Sequence, residues 1–252
     1  MNAAPAGRKR RRAANALRVL GIDIGGTYLK AAVVDAHGRM LSEKLRLKTP
    51  DPCPPKVMLR ALLQLVRPLA GYNHIALGFP GVVRAGRVVT APHWGARPWA
   101  NFALASTLSH RLGNIPARLI NDAEMQGLAV IRGRGLELVL TLGTGAGTGL
   151  FRDGEIMPHL ELAHHPLHNG ATYNDYVGDA ARKKIGRKRW NKRVARTIEV
   201  LRALLNYDHL FIGGGNAARI TIRLPDNATV VSNDAGIDGG AALWRPGRAP
   251  PL

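Results

Sequence analysis

Cysteine is almost absent, with Cys53 the single one in 252 residues. That excludes a disulfide framework and a Cys-rich zinc module, and it fits a reducing compartment. No apolar run approaches the ~18 residues that span a bilayer. The basic run Arg8 to Arg12 has no apolar core behind it, so no secretory leader is expected. These features point to a cytoplasmic protein with no membrane partner. Acidic residues are also scarce, 17 against 36 Lys and Arg, for a formal net charge of +19. Two phosphate-binding signatures are missing. There is no G-x-x-x-x-G-K-[ST], which excludes the usual P-loop. Gly143, Gly145 and Gly147 have the wrong spacing for a Rossmann G-x-G-x-x-G.

Apolar residues make up 46% of the chain, which rules out disorder throughout. The length suits one large domain or two lobes with a sizeable core. The positive charge is concentrated. Arg8 to Arg12 supplies five cations, and residues 182–196 supply nine with no acid. Without those fourteen, the 36 basic residues fall to 22 against 17 acidic ones, so the body is only mildly basic. Lys184, Lys188, Lys192 and Arg196 recur every four residues and would line one ridge of a helix. Like charges at that spacing repel, and a polyanion along the ridge would relieve the repulsion. A solvated helix face is the plainer reading. Ile185, Trp190, Val194, Ile198 and Leu201 give the segment apolar anchors.

The patterning predicts a flexible basic arm over 1–16, then strands over 18–24, 29–35 and 40–47. A helix opens at Pro54-Pro55 and closes near Gly71. A short strand over 74–79 stops at Pro80-Gly81, and a helix follows over 99–112. A strand over 118–120 runs into a helix over 123–131, and a buried strand covers 136–142. Later come a hairpin turn at Asp153-Gly154, a long helix over 190–206 and a strand over 209–212. A last helix over 234–243 is capped by Asn233 or Asp234. The order β-β-β-α-β-α has a loose echo beginning near residue 118. The fold class expected is α/β, with an N-terminal lobe over 17–118 and a C-terminal lobe over 119–252. The last helix is expected to pack back on the N-terminal lobe.

Three strand ends carry glycines: Gly25-Gly26-Thr27, Gly143-Thr144-Gly145 and Gly213-Gly214-Gly215. Glycine lets backbone N–H groups approach a phosphate closely, and Thr27 and Thr144 add hydroxyls. Asp23 ends the first strand just before such a turn, where a carboxylate could hold Mg²⁺ directly or through water. Asp122 stands at a strand end before a helix. Spacing alone leaves two readings: a partly buried acid facing a cleft, or a helix cap supplied by Asn121 or Asp122. His159, His164, His165 and His168 cluster near Glu161. His164 and His168 have metal-ligand spacing, but Pro166 interrupts any helix between them. Sugar-hydroxyl recognition or plain loop histidines fit better than zinc.

In their order along the chain, these residues resemble the ROK family of sugar kinases and repressors, within the actin- and hexokinase-like superfamily. Leu20 to Thr27 resembles its first phosphate motif, and Thr141 to Gly145 its second. Gly78-Phe79-Pro80-Gly81 is similar to the connecting motif beside the sugar. Asn121-Asp122-Ala123 is similar to the pair that carries the catalytic base. Glu161-Leu162-Ala163-His164 resembles the sugar-binding Glu-x-Gly-His, and Gly213 to Gly215 the adenosine-side turn. The short length, the missing family zinc motif and the basic, Trp-containing stretch 186–194 resemble the polyphosphate glucokinase branch most.

The resemblance implies a two-lobed fold with a ribonuclease H-like core around a central cleft. It implies phosphoryl transfer from polyphosphate and/or ATP to the 6-hydroxyl of glucose or a similar hexose, with Asp122 as base and Mg²⁺ as cofactor. The sugar side would comprise Gly81, Asn121, Asp122, Glu161 and His164. The donor side would comprise Asp23, Gly25, Gly26, Thr27, Lys30, Gly143, Thr144, Gly145, Gly213, Gly214 and Gly215. Lys184, Arg187, Lys188 and Lys192 would hold polyphosphate, and the assembly would be a homodimer. Two departures stand out: Ala163 replaces the family glycine, and no counterpart of a downstream sugar-contacting Glu occurs among residues 170–175. An ATP-only hexokinase and a non-catalytic sugar-binding regulator are the other readings. About sixteen residues ahead of the first strand leave no room for a helix-turn-helix, so no sequence-specific nucleic acid partner is expected.

Overall fold

A computed structural model describes residues 16–232 and 235–245. The basic run Arg8 to Arg12 and the expected cap at Asn233 or Asp234 lie outside the described residues. The first sheet is built from β1 (Arg18–Ile24), β2 (Tyr28–Asp35), β3 (Leu45–Lys48), β4 (His74–Phe79) and β7 (Ala117–Asn121). Its order is β3-β2-β1-β4-β7. The first three strands pair antiparallel, and β4 and β7 then add in parallel. Between them lie α1 (Pro55–Val66), the short hairpin β5 (Val83–Arg84) and β6 (Arg87–Val88), α2 (Ala96–Trp99) and α3 (Leu104–Arg111). Helix α1 starts with proline in its first turn, where the missing N–H costs nothing. It buries Met58, Leu62, Leu65 and Val66 against the sheet.

After β7 the chain turns directly into α4 (Asp122–Val130). The second sheet follows, from β8 (Leu136–Leu142), β9 (Ala146–Arg152), β10 (Glu155–Ile156), β13 (His209–Gly213) and β14 (Ala228–Val230). Its order, β10-β9-β8-β13-β14, repeats the first, with two antiparallel pairs followed by two parallel ones. The small pair β11 (Pro166–His168) and β12 (Ala171–Thr172), α5 (Tyr173–Val177) and α6 (Asp179–Leu205) fill the crossover. The chain described ends in α7 (Ala235–Ala242). Among the described residues, no helix is long and apolar enough to cross a membrane.

Several expectations change. The internal echo begins at β8, near residue 136 rather than 118, because β7 completes the first sheet. A lobe division after residue 118 would cut β7, and we propose dividing the chain after Asn121. The strand expected over 40–47 starts at Leu45. Before it, the Ser42 hydroxyl accepts the Val33 N–H at 2.9 Å and replaces a ladder bond. The helix expected over 99–112 is two helices, separated by Asn101 at φ 58°. The helix expected over 190–206 begins at Asp179 and is broken at Gly186, whose φ of 77° and ψ of 164° are not helical. The expected cationic ridge is therefore interrupted between Lys184 and Lys188.

Helices α4 and α7 pack against each other, and α7 also lies on β1, β2 and β4. Small residues make that approach feasible. A Cβ on Gly239 would collide with the Met125 carbonyl, and one on Gly240 would lie 3.0 Å from Ala76 Cβ. Gly239→Ala should therefore cost about 3 kcal/mol by urea denaturation, although alanine is the better helix former by ~1 kcal/mol. Unchanged or improved stability would contradict the packing.

Candidate active site

A cleft of about 570 Å³ lies between the sheets, at the carboxyl ends of β1, β4, β7, β8 and β13. Ligands of α/β proteins bind at such strand ends. At its floor, Asn121 settles the choice left open by spacing, because Asn121 is the cap of α4. Its Oδ1 accepts the Ala123 N–H at 2.8 Å and the Glu124 N–H at 3.3 Å. Its Nδ2 donates to the Gly81 carbonyl at 3.2 Å. Glu124 Oε2 accepts the Asn121 N–H at 3.2 Å and completes a capping box. Asn121 was expected to bind sugar. It does line the cleft, and the same side chain also holds the start of α4 and the Gly81 carbonyl in place.

Asp122 is thereby released from capping and faces the cleft. Burial pushes its carboxyl up to about 7, and the Asp23 carboxylate pushes the same way. The Ala123 N–H at 3.0 Å from Oδ1 opposes the shift. Asp23 sits opposite Lys30 in the β1–β2 register, so Lys30 Nζ reaches its Oδ2 at 3.0 Å. Gly236 packs beside the Asp23 carboxyl, where a Cβ would lie 3.5 Å from it in ordinary contact. Among the described residues no group of three His, Cys, Asp or Glu could cage a metal. The lone Asp23 carboxylate fits Mg²⁺ of the kind that keeps its waters and arrives on a phosphate chain.

Gly25, Gly26 and Thr27 line one wall, and Gly143, Thr144 and Gly145 the other. The backbone N–H groups of Gly26, Thr27, Thr144 and Gly145 have no hydrogen-bond partner among the described residues. Unpaired N–H groups at two facing turns suit an anion. Gly145 must be glycine because a Cβ would run into Asn174 Oδ1, which accepts the Ala146 N–H at 2.7 Å. Gly214, at φ +86°, lines the cleft with Gly215, whereas Gly213 lies outside the lining and faces Gln126 instead.

Glu161 and His164 line the cleft, with Glu161 near enough to Asp122 to act on its carboxyl. Ala163 fits the short 3-10 turn Leu162–His164, buried and without left-handed backbone, so the family glycine is not required for this turn. His159 lies beside Glu161. Its Nδ1 is 2.8 Å from the buried Glu124 Oε1, and its Nε2 is 3.6 Å from Glu161 Oε2. Burial opposes charge on His159, but the two glutamates outweigh it and hold the imidazole at about 9.

Lys184, Arg187, Lys188 and Lys192 do not line the cleft; they are exposed on α6 beyond its mouth. The cations that do, besides Lys30, are Arg46, Arg182, Lys183 and Arg219. Arg46 stacks over Tyr28 at 3.3 Å. Lys183 and Arg182 grip Asp179 at 2.8 and 2.7 Å. Lys183, then Arg182 and Asn216, lower the Asp179 carboxyl to about 2 against the effect of burial. Sequence reading missed Arg46, Asn174, His93 and Arg219 because their roles depend on long-range placement. Arg182 and Lys183 were visible within the basic segment, but nothing marked them apart from its other seven cations.

Two mixed sheets of one order, facing across a cleft with glycine turns on each wall, define the actin- and hexokinase-like fold. Comparison narrows this further: the ROK family matches residues 19–166, and the chain belongs to that family. Polyphosphate glucokinase of Mycobacterium tuberculosis (strain ATCC 25618 / H37Rv) is 28% identical over 88% of this chain and 89% of its own length. The crystal structure of inorganic polyphosphate/ATP-glucomannokinase from Arthrobacter sp. strain KM aligns with a TM-score of 0.79 at 30% identity. That alignment covers 89% of this chain and 97% of the other. A ROK family glucokinase from Streptomyces griseus, in complex with glucose and AMPPNP, shares the fold with a TM-score of 0.72 at 21% identity, over 90% of this chain and 98% of the other.

The raised Asp122 carboxyl makes a stability prediction. The native state holds this proton from the unfolded value of 3.8 up to about 7, so the stabilisation is lost as pH rises through that window. Asp122→Asn should melt close to wild type at pH 4.5 and about 5 °C above it at pH 8. A gap independent of pH in thermal melts would contradict the assignment.

Proposed function

We propose that this chain is a phosphotransferase that moves a phosphoryl group from polyphosphate, ATP or both to the 6-hydroxyl of glucose or a similar hexose. The observation that carries the reading is the part-buried Asp122 carboxyl, its pKa raised to about 7, in the same cleft as two turns with unpaired N–H groups. Asp122 accepts the hydroxyl proton as the oxygen attacks, a role that asks for a positioned carboxylate with a pKa near the working pH. Gly26, Thr27, Thr144 and Gly145 hold donor phosphate oxygens through their N–H groups. Asp23 would hold Mg²⁺ through its waters, and the ion would offset charge on the donor. Glu161 and His164 bind sugar hydroxyls, and Gly81 forms the wall beside them. Catalysis of this kind depends on positioning and electrostatics.

The charge layout supports a polyanionic donor. Arg46 and Lys30 on one wall, and Arg182, Lys183 and Arg219 on the other, face the same cleft. Arg187, whose Nε donates to the Arg219 carbonyl at 3.3 Å, carries positive charge from the mouth toward Lys188 and Lys192. The names of the relatives point the same way, since they include polyphosphate and ATP kinases of glucose.

A matrix of donors (polyphosphate, ATP) against hexoses (glucose, mannose) tests the reading directly. Asp122→Asn should lower turnover about 10³-fold, with sugar affinity little changed. Near-normal turnover would remove Asp122 as base. In the wild type, kcat/KM should rise with pH and level off above about 7. The polyphosphate KM should climb more steeply with salt than the ATP KM, and parallel salt slopes would remove the cationic walls from donor selection.

A further inference from the structure

We propose that His159 is a positioning residue that clamps Glu161 against the sugar, with Glu124 as its anchor. The inference rests on the reading of Glu161 as a sugar ligand given above. Its basis is an incomplete hydrogen bond. His159 is largely enclosed, and its Nδ1 is seated on Glu124 at 2.8 Å. The other nitrogen, Nε2, is buried and has no hydrogen-bond partner among the described residues. Its nearest acidic atom is Glu161 Oε2 at 3.6 Å, too long for a hydrogen bond. A buried N–H in that condition favours any movement that satisfies it. Glu161 needs to shift by less than an ångström to do so, and Glu161 faces the cleft.

The far end of the chain of contacts is fixed. Glu124 accepts the Asn121 N–H through its other oxygen, on the helix that begins with Asp122. The loop bearing His159 is pinned where the Thr148 hydroxyl donates to the Leu160 carbonyl at 2.9 Å. The charged groups facing His159 are Glu124 from α4 and Glu161 from its own loop. His93 feels Glu161 and His164, which places those groups on the cleft side. The floor of the cleft and its sugar-side end are thus joined through one imidazolium. Nothing in the Glu-x-x-His motif itself announces this, because His159 stands outside it.

Two arms test the proposal. In the ligand-free protein, histidine NMR should find the His159 ring charged well above pH 7, and Glu161→Gln should lower its titration point. In sugar binding, followed by tryptophan fluorescence with glucose, His159→Gln should weaken affinity about 10-fold in the wild-type background. It should cost almost nothing further in Glu161→Gln, the non-additivity of a direct pair. The donor KM should stay within about twofold, an outcome that general loosening of the fold would not give. An equal loss in both backgrounds, or a His159 titration blind to Glu161→Gln, overturns the clamp. Failure of the wild type to bind any hexose overturns the sugar-kinase reading instead, and the NMR arm still decides whether His159 and Glu161 are coupled.

Discussion

The cap of α4 is the contact on which the rest of the site depends. A helix start needs an acceptor for its first N–H groups, and the chain offers two adjacent candidates, Asn121 and Asp122. Asn121 takes the role with its Oδ1 and uses its Nδ2 to tie the cap to the Gly81 carbonyl. The neighbouring carboxylate is then left at the cleft with one weak local partner. Had Asp122 been the cap, two N–H donors would have held its charge and kept its pKa low. The division of labour between two consecutive residues is what allows burial to raise Asp122 to about 7.

The electrostatics of the cleft follow from which sheet supplies which wall. Asp122 feels the charges of Asp23 and Glu161, while Lys30 and Arg46 line the cleft from the first sheet and Arg182, Lys183 and Arg219 from the second lobe. Asp23 and Asp179 sit among the cations, each already held by a lysine at 3.0 and 2.8 Å. Those pairs fix the directions of Lys30 and Lys183. Arg46, stacked on Tyr28, and Arg219 have no acidic partner among the pairs of the described residues. The wall of the second lobe is assembled by the Asp179–Asn216–Gly143 bonds, which connect the start of α6 to the glycine turn.

Much of this arrangement is legible in the sequence, and the gaps have physical causes. Apolar strands running into Gly25, Gly143 and Gly214 mark the turns, because few other reasons put glycine directly after a buried strand. The two-sheet plan follows from strand order, but the start of the repeat does not. Residues 117–121 look like a first strand of something new, and only pairing with β4 assigns them to the first sheet. Helical spacing assumes an unbroken helix, so the sequence does not show that Gly186 leaves the helical region and separates Lys184 from Lys188, Lys192 and Arg196. His159 and Glu124 are 35 residues apart, and no local pattern couples them. Arg46 becomes a cleft residue only through its place opposite Lys30 in the β2–β3 register.

The two lobes are joined through few elements, and this gives the charges on the walls a mechanical meaning. The chain passes from the first sheet to the second at β7 and α4, and α7 returns to lie on β1. The sheets are otherwise separated by the cleft. Cations on both walls repel across an empty cleft, and the low-dielectric protein on either side strengthens that repulsion. An anion placed between them reverses the sign of the interaction on each wall at once. An anion bound there would therefore favour approach of the two walls by Coulomb's law. The return of α7 is close-packed at its glycines, with Gly239 against α4 and Gly240 against β4 and β1. Helix α4, which begins with Asp122, is one face of that seam, so the packing of α7 and the placing of the carboxyl depend on the same contacts.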